Sequence, residues 1–506
     1  MLSIIKCIAL NGVEGFIVEV QVDVSNGIPR WDIIGLPDAS IKESKERVKS
    51  SIKNSGYEIP SKKITINLAP ATIKKCGSTF DLSIAIAIIT ANKNIGLLKE
   101  TIFIGELGLD GKLIPVKGVL PICIEARKKG FKRIIVPKLN QDEACIVENI
   151  EVIPAESLAQ VIDFVFGRKK MIPIKKSINT LQNKVNKYDI DFCDIKGQRS
   201  VKRALEIAAS GGHNCLMIGS PGVGKTMIAK RLPTILPELT FNESLEVTKI
   251  HSIAGTILKR VPLIVNRPFI SPHYSISKSA FVGGNKDARP GEISLAHYGV
   301  LFLDELPEFE RQTIEVLRGP MEEKRILINR SGGKVMYPCN FMLVASMNPC
   351  PCGFFGSEKK CRCSPNAIQK YLNKISGPLL DRIDIQVEVS PVKFENLKSN
   401  QKEEPSETIR KRVEKTRAIQ RARYNKEKFS TNSELLPSFL NKYCRLDDKC
   451  KSVMEEYFKN YNLSVRSYNK IITVARTIAD MDESSNIKEK HILEAIQYRS
   501  LDKKFY

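Results

Sequence analysis

The chain has 506 residues, 42% of them hydrophobic, with a formal net charge of +23 and 13 cysteines. That length is enough for roughly three domains; no apolar run approaches the roughly 18 residues of a membrane span, and an odd number of mostly scattered cysteines argues against a secreted disulfide framework, so the expected compartment is the cytoplasm. So basic a surface attracts polyanions, which makes nucleic acid the first candidate partner; a lysine-, asparagine- and isoleucine-rich coding bias is the bland alternative.

Residues 1–168 alternate short β-branched runs, at 16–24, 63–68 and 133–137, with helical stretches at 40–55 and 78–91. A polar, lysine-rich stretch of little periodicity follows and reads as a linker over 169–189. Residues 190–390 alternate strand and helix signals, the pattern of an α/β sheet with covering helices. From 391 to 506 the pattern is helical, with a strongly basic run at 408–417 and final helices at 468–480 and 488–498.

The central segment carries Gly219-Ser220-Pro221-Gly222-Val223-Gly224-Lys225-Thr226 between an apolar strand at 214–218 and a helix from 225. This fits G-x-x-x-x-G-K-[ST]: glycines leave backbone N–H groups open to phosphates, and the helix dipole faces the anion. Lys225 is expected to reach the β/γ-phosphates and the Thr226 hydroxyl to ligate magnesium. A second apolar strand at 300–303 ends in Asp304 and Glu305. Asp304 is then placed for the metal, and Glu305 for orienting an attacking water. Either motif alone can be a turn or an ordinary strand ending in acids; the ordered pair specifies an NTPase that uses ATP and magnesium.

Further along, a core strand at 341–348 ends in Asn348, which can bond a γ-phosphate or the attacking water. Arg382, in the turn 377–384, can reach a neighbouring subunit's nucleotide, and Arg466 opens a helix from which it can sense nucleotide. Two β-prone runs over 325–337 flank a Ser-Gly-Gly turn, a hairpin signal, with Arg330 and Lys334 beside the tip. Such a basic tip either grips a phosphate backbone or is simply a solvated turn. Cys350, Cys352, Cys361 and Cys363 can build a tetrahedral zinc site, although the C-x-C spacing departs from the usual C-x₂₋₄-C and a cysteine-rich loop is the alternative.

These strings, together with Arg289-Pro290-Gly291-Glu292-Ile293-Ser294-Leu295-Ala296-His297, Met347-Asn348-Pro349-Cys350-Pro351-Cys352-Gly353 and Ile375-Ser376-Gly377-Pro378-Leu379-Leu380-Asp381-Arg382-Ile383-Asp384, resemble the ComM/YifB family of magnesium-chelatase-like AAA+ ATPases over essentially the whole chain. The resemblance implies an N-terminal Lon-protease-like α+β domain, a central AAA+ α/β module and a C-terminal helical lid. It also implies a hexameric ATPase acting on branched DNA, with branch migration in natural transformation; the expected partner is single-stranded or branched DNA. By the same correspondence Asn348 matches sensor 1, Arg382 the arginine finger and Arg466 sensor 2. Residues 241–282 match the helix-2 insert, and the hairpin matches the pre-sensor-1 insert.

The stretch 105–120 resembles the sequence just before the catalytic lysine of Lon-type proteases. Here the lysine position falls on Pro121 or Ile122, and the nucleophile position on Thr79. Neither proline nor isoleucine can take a proton from a hydroxyl nucleophile, so a scaffold for ring assembly or DNA binding is expected instead of a protease. The leading function is a DNA translocase; the alternative is a ring that remodels a protein partner.

Overall fold

Alternation of apolar and polar residues builds the first sheet, whose strand order is Leu2–Asn11, Glu14–Ser25, Lys63–Ala69, Arg30–Ile34. Val18, Val20, Val22 and Val24 all face inward and are buried, as a two-residue period demands. They share a hydrophobic cluster with Ile84, Ile86 and Ile88 of the helix Asp81–Ile89. That helix starts later than the apolar run suggests because residues 78–80 form a turn, with the Ser78 hydroxyl donating to Glu106. A parallel three-stranded sheet, Thr101–Phe103, Arg133–Pro137 and Glu151–Ala155, completes this Lon-like α+β part. The structure is a computed structural model and describes residues 2–91, 93, 95–174, 188–257, 263–284, 288–330, 333–392, 403–461 and 464–499; most of the expected linker lies outside the described residues.

The central sheet is parallel, in the order Phe269–Ile270, Val300–Leu303, Met342–Met347, Cys215–Ile218, Ile385–Glu388. Its three middle strands are buried at every residue. Parallel strands covered on both faces read as continuous apolar runs rather than alternating ones, which is why these segments were visible in the sequence. Their carboxyl ends converge, so Gly219, Asp304 and Asn348 emerge side by side at one edge.

Among the described residues five helices form the C-terminal part: Ser406–Arg423, Pro437–Tyr443, Asp448–Tyr461, Val465–Met481 and Glu489–Gln497. Ile471, Val474, Ile478 and Ala495 lie in one hydrophobic cluster with Phe302 and Val344 of the sheet. Beneath them runs a buried polar link. Asp384 accepts from the Asn214 backbone N–H (2.8 Å) and pairs with Lys470 (2.6 Å) and His213 (3.6 Å). Burial pushes the Asp384 carboxyl up, but Lys470 and His213 more than offset it and hold it well below the usual carboxylate range. A group with a depressed folded pKa contributes stability above its unfolded pKa and loses it as pH falls. Asp384→Asn leaves the half-buried Lys470 ammonium, 27% exposed, without its carboxylate, so it is expected to cost about 2–3 kcal/mol by denaturant unfolding, below the figure for a fully buried pair. The gap from wild type should be constant above pH about 5 and narrow below pH about 4.

The N-terminal part is seated on two elements of the central one. The Gly118 backbone N–H donates to the Ser252 carbonyl (3.2 Å), and Glu143 accepts from Leu120 N–H (3.0 Å) and from the Ser252 hydroxyl. Ser252 lies on the helix Phe241–Ala254. The turn after the first strand rests on the hairpin: a Cβ on Gly12 would stand 2.6 Å from Val335 Cγ1.

Candidate nucleotide site

The strand Cys215–Ile218 leads into the phosphate loop, and a helix begins at Lys225. Gly222 (φ 79°) and Gly224 (φ 92°) take left-handed backbone with open space around them, a conformation that side chains resist. Gly219 meets a further constraint. A Cβ there would stand 2.3 Å from the Val389 carbonyl oxygen, so this glycine also admits the end of the neighbouring strand.

Lys225 is 9% exposed, and its ammonium donates to the carbonyls of Gly219 (2.5 Å) and Ser220 (3.0 Å) and to Asn348 Oδ1 (3.0 Å). Burial pushes its pKa below the ordinary lysine range against the pull of Asp304 and Glu305. A desolvated cation tied to weak carbonyl acceptors is ready for an anion. Next to it, Thr226 Oγ1 donates to Asp304 Oδ2 at 2.6 Å. A hydroxyl and a carboxylate oxygen converging beside a phosphate cradle form a hard donor set, which fits Mg²⁺. The second Asp304 oxygen accepts from the Ser346 hydroxyl, whose oxygen in turn accepts from the Glu305 backbone N–H (3.3 Å). Ser346 therefore fixes both carboxylate-bearing residues, and sequence reasoning missed it: a serine inside an apolar strand has no distinguishing spacing. Glu305 is exposed and left-handed (φ 54°), which costs a non-glycine residue about 1–2 kcal/mol.

Arg382 is not splayed into solvent. Its Nη1 donates to the Pro378 carbonyl (2.7 Å), its Nη2 pairs with Glu322 (2.6 Å), and its side chain is 11% exposed. Arg466 is exposed in the first turn of Val465–Met481. Neither is among the groups that meet at Lys225, Thr226 and Asp304 within one chain. The hairpin forms as expected, Arg325–Arg330 against Gly333–Pro338. Lys334 is exposed; the Arg330 side chain and residues 331–332 lie outside the described residues.

The structure brings Cys350, Cys352, Cys361 and Cys363 together despite their spacing, with all four sulfurs within 4.8 Å of one another. Three of the separations are 3.4, 3.7 and 3.6 Å, close to the edge of about 3.8 Å that a tetrahedron with Zn–S bonds of about 2.3 Å requires. Backbone N–H groups of Phe355 and Cys363 point at the sulfurs of Cys350 (3.3 Å) and Cys361 (3.4 Å), the kind of support that ligating sulfur receives.

The sheet order, the phosphate loop and the Thr226–Asp304 pair define a P-loop nucleoside triphosphatase. Comparison with known families refines the class. The family model for the magnesium chelatase subunit ChlI matches residues 191–397, a second ChlI model matches 20–140, and the ChlI C-terminal model matches 403–499. The chain is 41% identical over 505 residues to competence protein ComM of Haemophilus influenzae, covering 99% of this chain and 98% of that protein. It is 41% identical over 510 residues to the uncharacterized protein YifB of Escherichia coli, again 99% of this chain and 98% of that one. A stretch of 145 residues, 29% of the chain and 22% of the relative, is 28% identical to an archaeal Lon protease of Methanocaldococcus jannaschii. The chain belongs to the ComM/YifB family of magnesium-chelatase-like AAA+ ATPases. Its substrate is accordingly ATP and its metal Mg²⁺. Among the described residues no helix is long and apolar enough to cross a membrane.

Proposed function

We propose that this chain is a ring-forming motor, hexameric as the family resemblance implies, that uses ATP hydrolysis to move along single-stranded or branched DNA, as a branch-migration helicase in recombination or natural transformation. The observation that carries the reading is mechanical. The buried face of the hairpin, Ile326, Ile328, Val335 and Tyr337, lies in the same hydrophobic cluster as Leu303 and Ala345. Those two residues belong to the strands that deliver Asp304 and Asn348, so a shift at the nucleotide is transmitted through packed side chains to the hairpin tip. The net charge of +23 and a relative named as a competence protein favour DNA over a protein client.

In this reading the loop amides and Lys225 bind the triphosphate, Thr226 and Asp304 hold Mg²⁺, and Glu305 and Asn348 orient water. When bound, Mg²⁺ supplies charge neutralisation on the phosphates. Arg382 completes the neighbouring protomer's site, Arg466 reports nucleotide state to the lid, and Arg330 and Lys334 contact the DNA backbone. Cys350, Cys352, Cys361 and Cys363 hold zinc, since soft thiolates select it. The domains divide at 168, 190 and 391, and the protein works in the cytoplasm, where its substrates are. Pro121 and Ile122 lie buried in the helix Val119–Lys128; with no proton acceptor there, the N-terminal domain is a non-proteolytic scaffold that seats the hairpin.

Forked or four-way DNA is expected to stimulate hydrolysis and to be unwound. Binding should weaken steeply with salt as counterions are released, and Lys334→Ala should reduce the slope of log K against log salt by about 1. DNA that neither stimulates hydrolysis nor is displaced would overturn the translocase reading and favour a protein client.

A further inference from the structure

The cysteine cluster lies against the phosphate loop, and that contact gives the metal a task; the inference rests on the zinc reading above. Cys350 follows Asn348 by two residues and is fully buried. Gly353 then turns in left-handed backbone (φ 83°), and a Cβ there would stand 2.4 Å from Pro221 Cδ and 2.6 Å from its Cγ. The backbone of the cysteine loop is therefore seated directly on the phosphate loop. The two loops also flank an open cleft of about 1040 Å³, lined by Gly219 and Ser220 and by Phe355, Cys361 and Cys363.

The far end of the loop returns to the same place. Ser364 follows Cys363 and caps the helix Pro365–Leu372 by accepting from the Ala367 N–H (3.2 Å). Tyr371 and Leu372 of that helix pack in the same hydrophobic cluster as Met347, the residue before Asn348. Both ends of the loop thus lie beside Asn348, and its middle rests on Pro221. Its own backbone bonds are short turns, Gly353 to Cys350 and Ser357 to Phe354. A segment built from turns gains its order from a metal when four ligands converge.

We propose that zinc at these four cysteines is a brace that holds the phosphate loop and Asn348 in register, so that metal occupancy sets nucleotide affinity. The test uses purified full-length protein, elemental analysis for zinc and titration with a fluorescent ATP analogue in excess magnesium. Wild type is expected to carry about one zinc per chain. The double variant Cys361→Ser/Cys363→Ser should lose the zinc and bind the analogue about tenfold more weakly. Gly353→Ala keeps every thiol but displaces Pro221; it should retain zinc and still bind about tenfold more weakly. Chelation of folded wild type, followed by zinc re-addition, should lower and then restore affinity, which separates bracing from misfolding. Zinc in the wild type together with wild-type affinity in both variants would overturn the brace and leave the zinc site standing. Protein without zinc would overturn both, whatever DNA does to hydrolysis.

Discussion

Arg382→Ala is expected to cut ATP turnover by about 10³- to 10⁵-fold while nucleotide affinity stays within about threefold of wild type, measured by steady-state hydrolysis and equilibrium titration. The reason is chemical. Charge builds on the transferring phosphoryl oxygens only as the bond breaks, so a cation supplied there stabilises the transition state and contributes little to ground-state binding. Within one chain Arg382 is folded against Glu322, which is itself 56% exposed. Only the Glu322 half of the pair is open to water, so a neighbour's triphosphate has to compete with an exposed carboxylate for the Nη2 edge of a guanidinium whose Nη1 stays on the Pro378 carbonyl. Normal turnover in the variant would remove Arg382 from the reaction.

The second large effect is expected at Glu305. Glu305→Gln preserves shape but removes the carboxylate that can take a proton from water, and such proton transfer typically contributes 10²- to 10⁴-fold. The variant should bind ATP and magnesium and accumulate uncleaved nucleotide in single-turnover quench experiments. Lys225→Ala should fail earlier, at binding, because the desolvated ammonium that donates to Asn348 and the loop carbonyls is lost. The two failures are distinct readouts of the same pocket.

How much of this was visible in the sequence depended on what each residue has to do. The loop at 222–226 was legible because its left-handed turns need glycine, and because a lysine and a threonine in that order are what a phosphate-binding loop would require; the structure brings them to Asn348 and Asp304. The buried strands were legible because burial on both faces leaves continuous apolar runs. Ser346 was not, since its role comes from register beside Asp304 in a neighbouring strand, and register is a property of the sheet. The close approach of Val389 to Gly219 was not legible for the same reason: Val389 lies far away in sequence. The seat of Gly12 on Val335, and of Gly353 on Pro221, are likewise long-range contacts that no local pattern encodes. The cysteine cluster was half legible. Residue types pointed to zinc while the spacing argued against it, and only the folded loop showed the sulfurs converging. Arg382 was legible as an arginine on a turn, but its pairing with Glu322 was not.

The central claim is that each triphosphate is cleaved in a pocket built by two protomers, and mixing two dead variants tests it most directly. Lys225→Ala chains are expected to bind no nucleotide but keep Arg382; Arg382→Ala chains are expected to bind nucleotide but lack the arginine. Mixed in equal amounts and allowed to reassemble, they should regain hydrolysis at about a quarter of interfaces if subunits associate at random. A mixture as inactive as its two parents, with co-assembly demonstrated, would contradict the shared pocket.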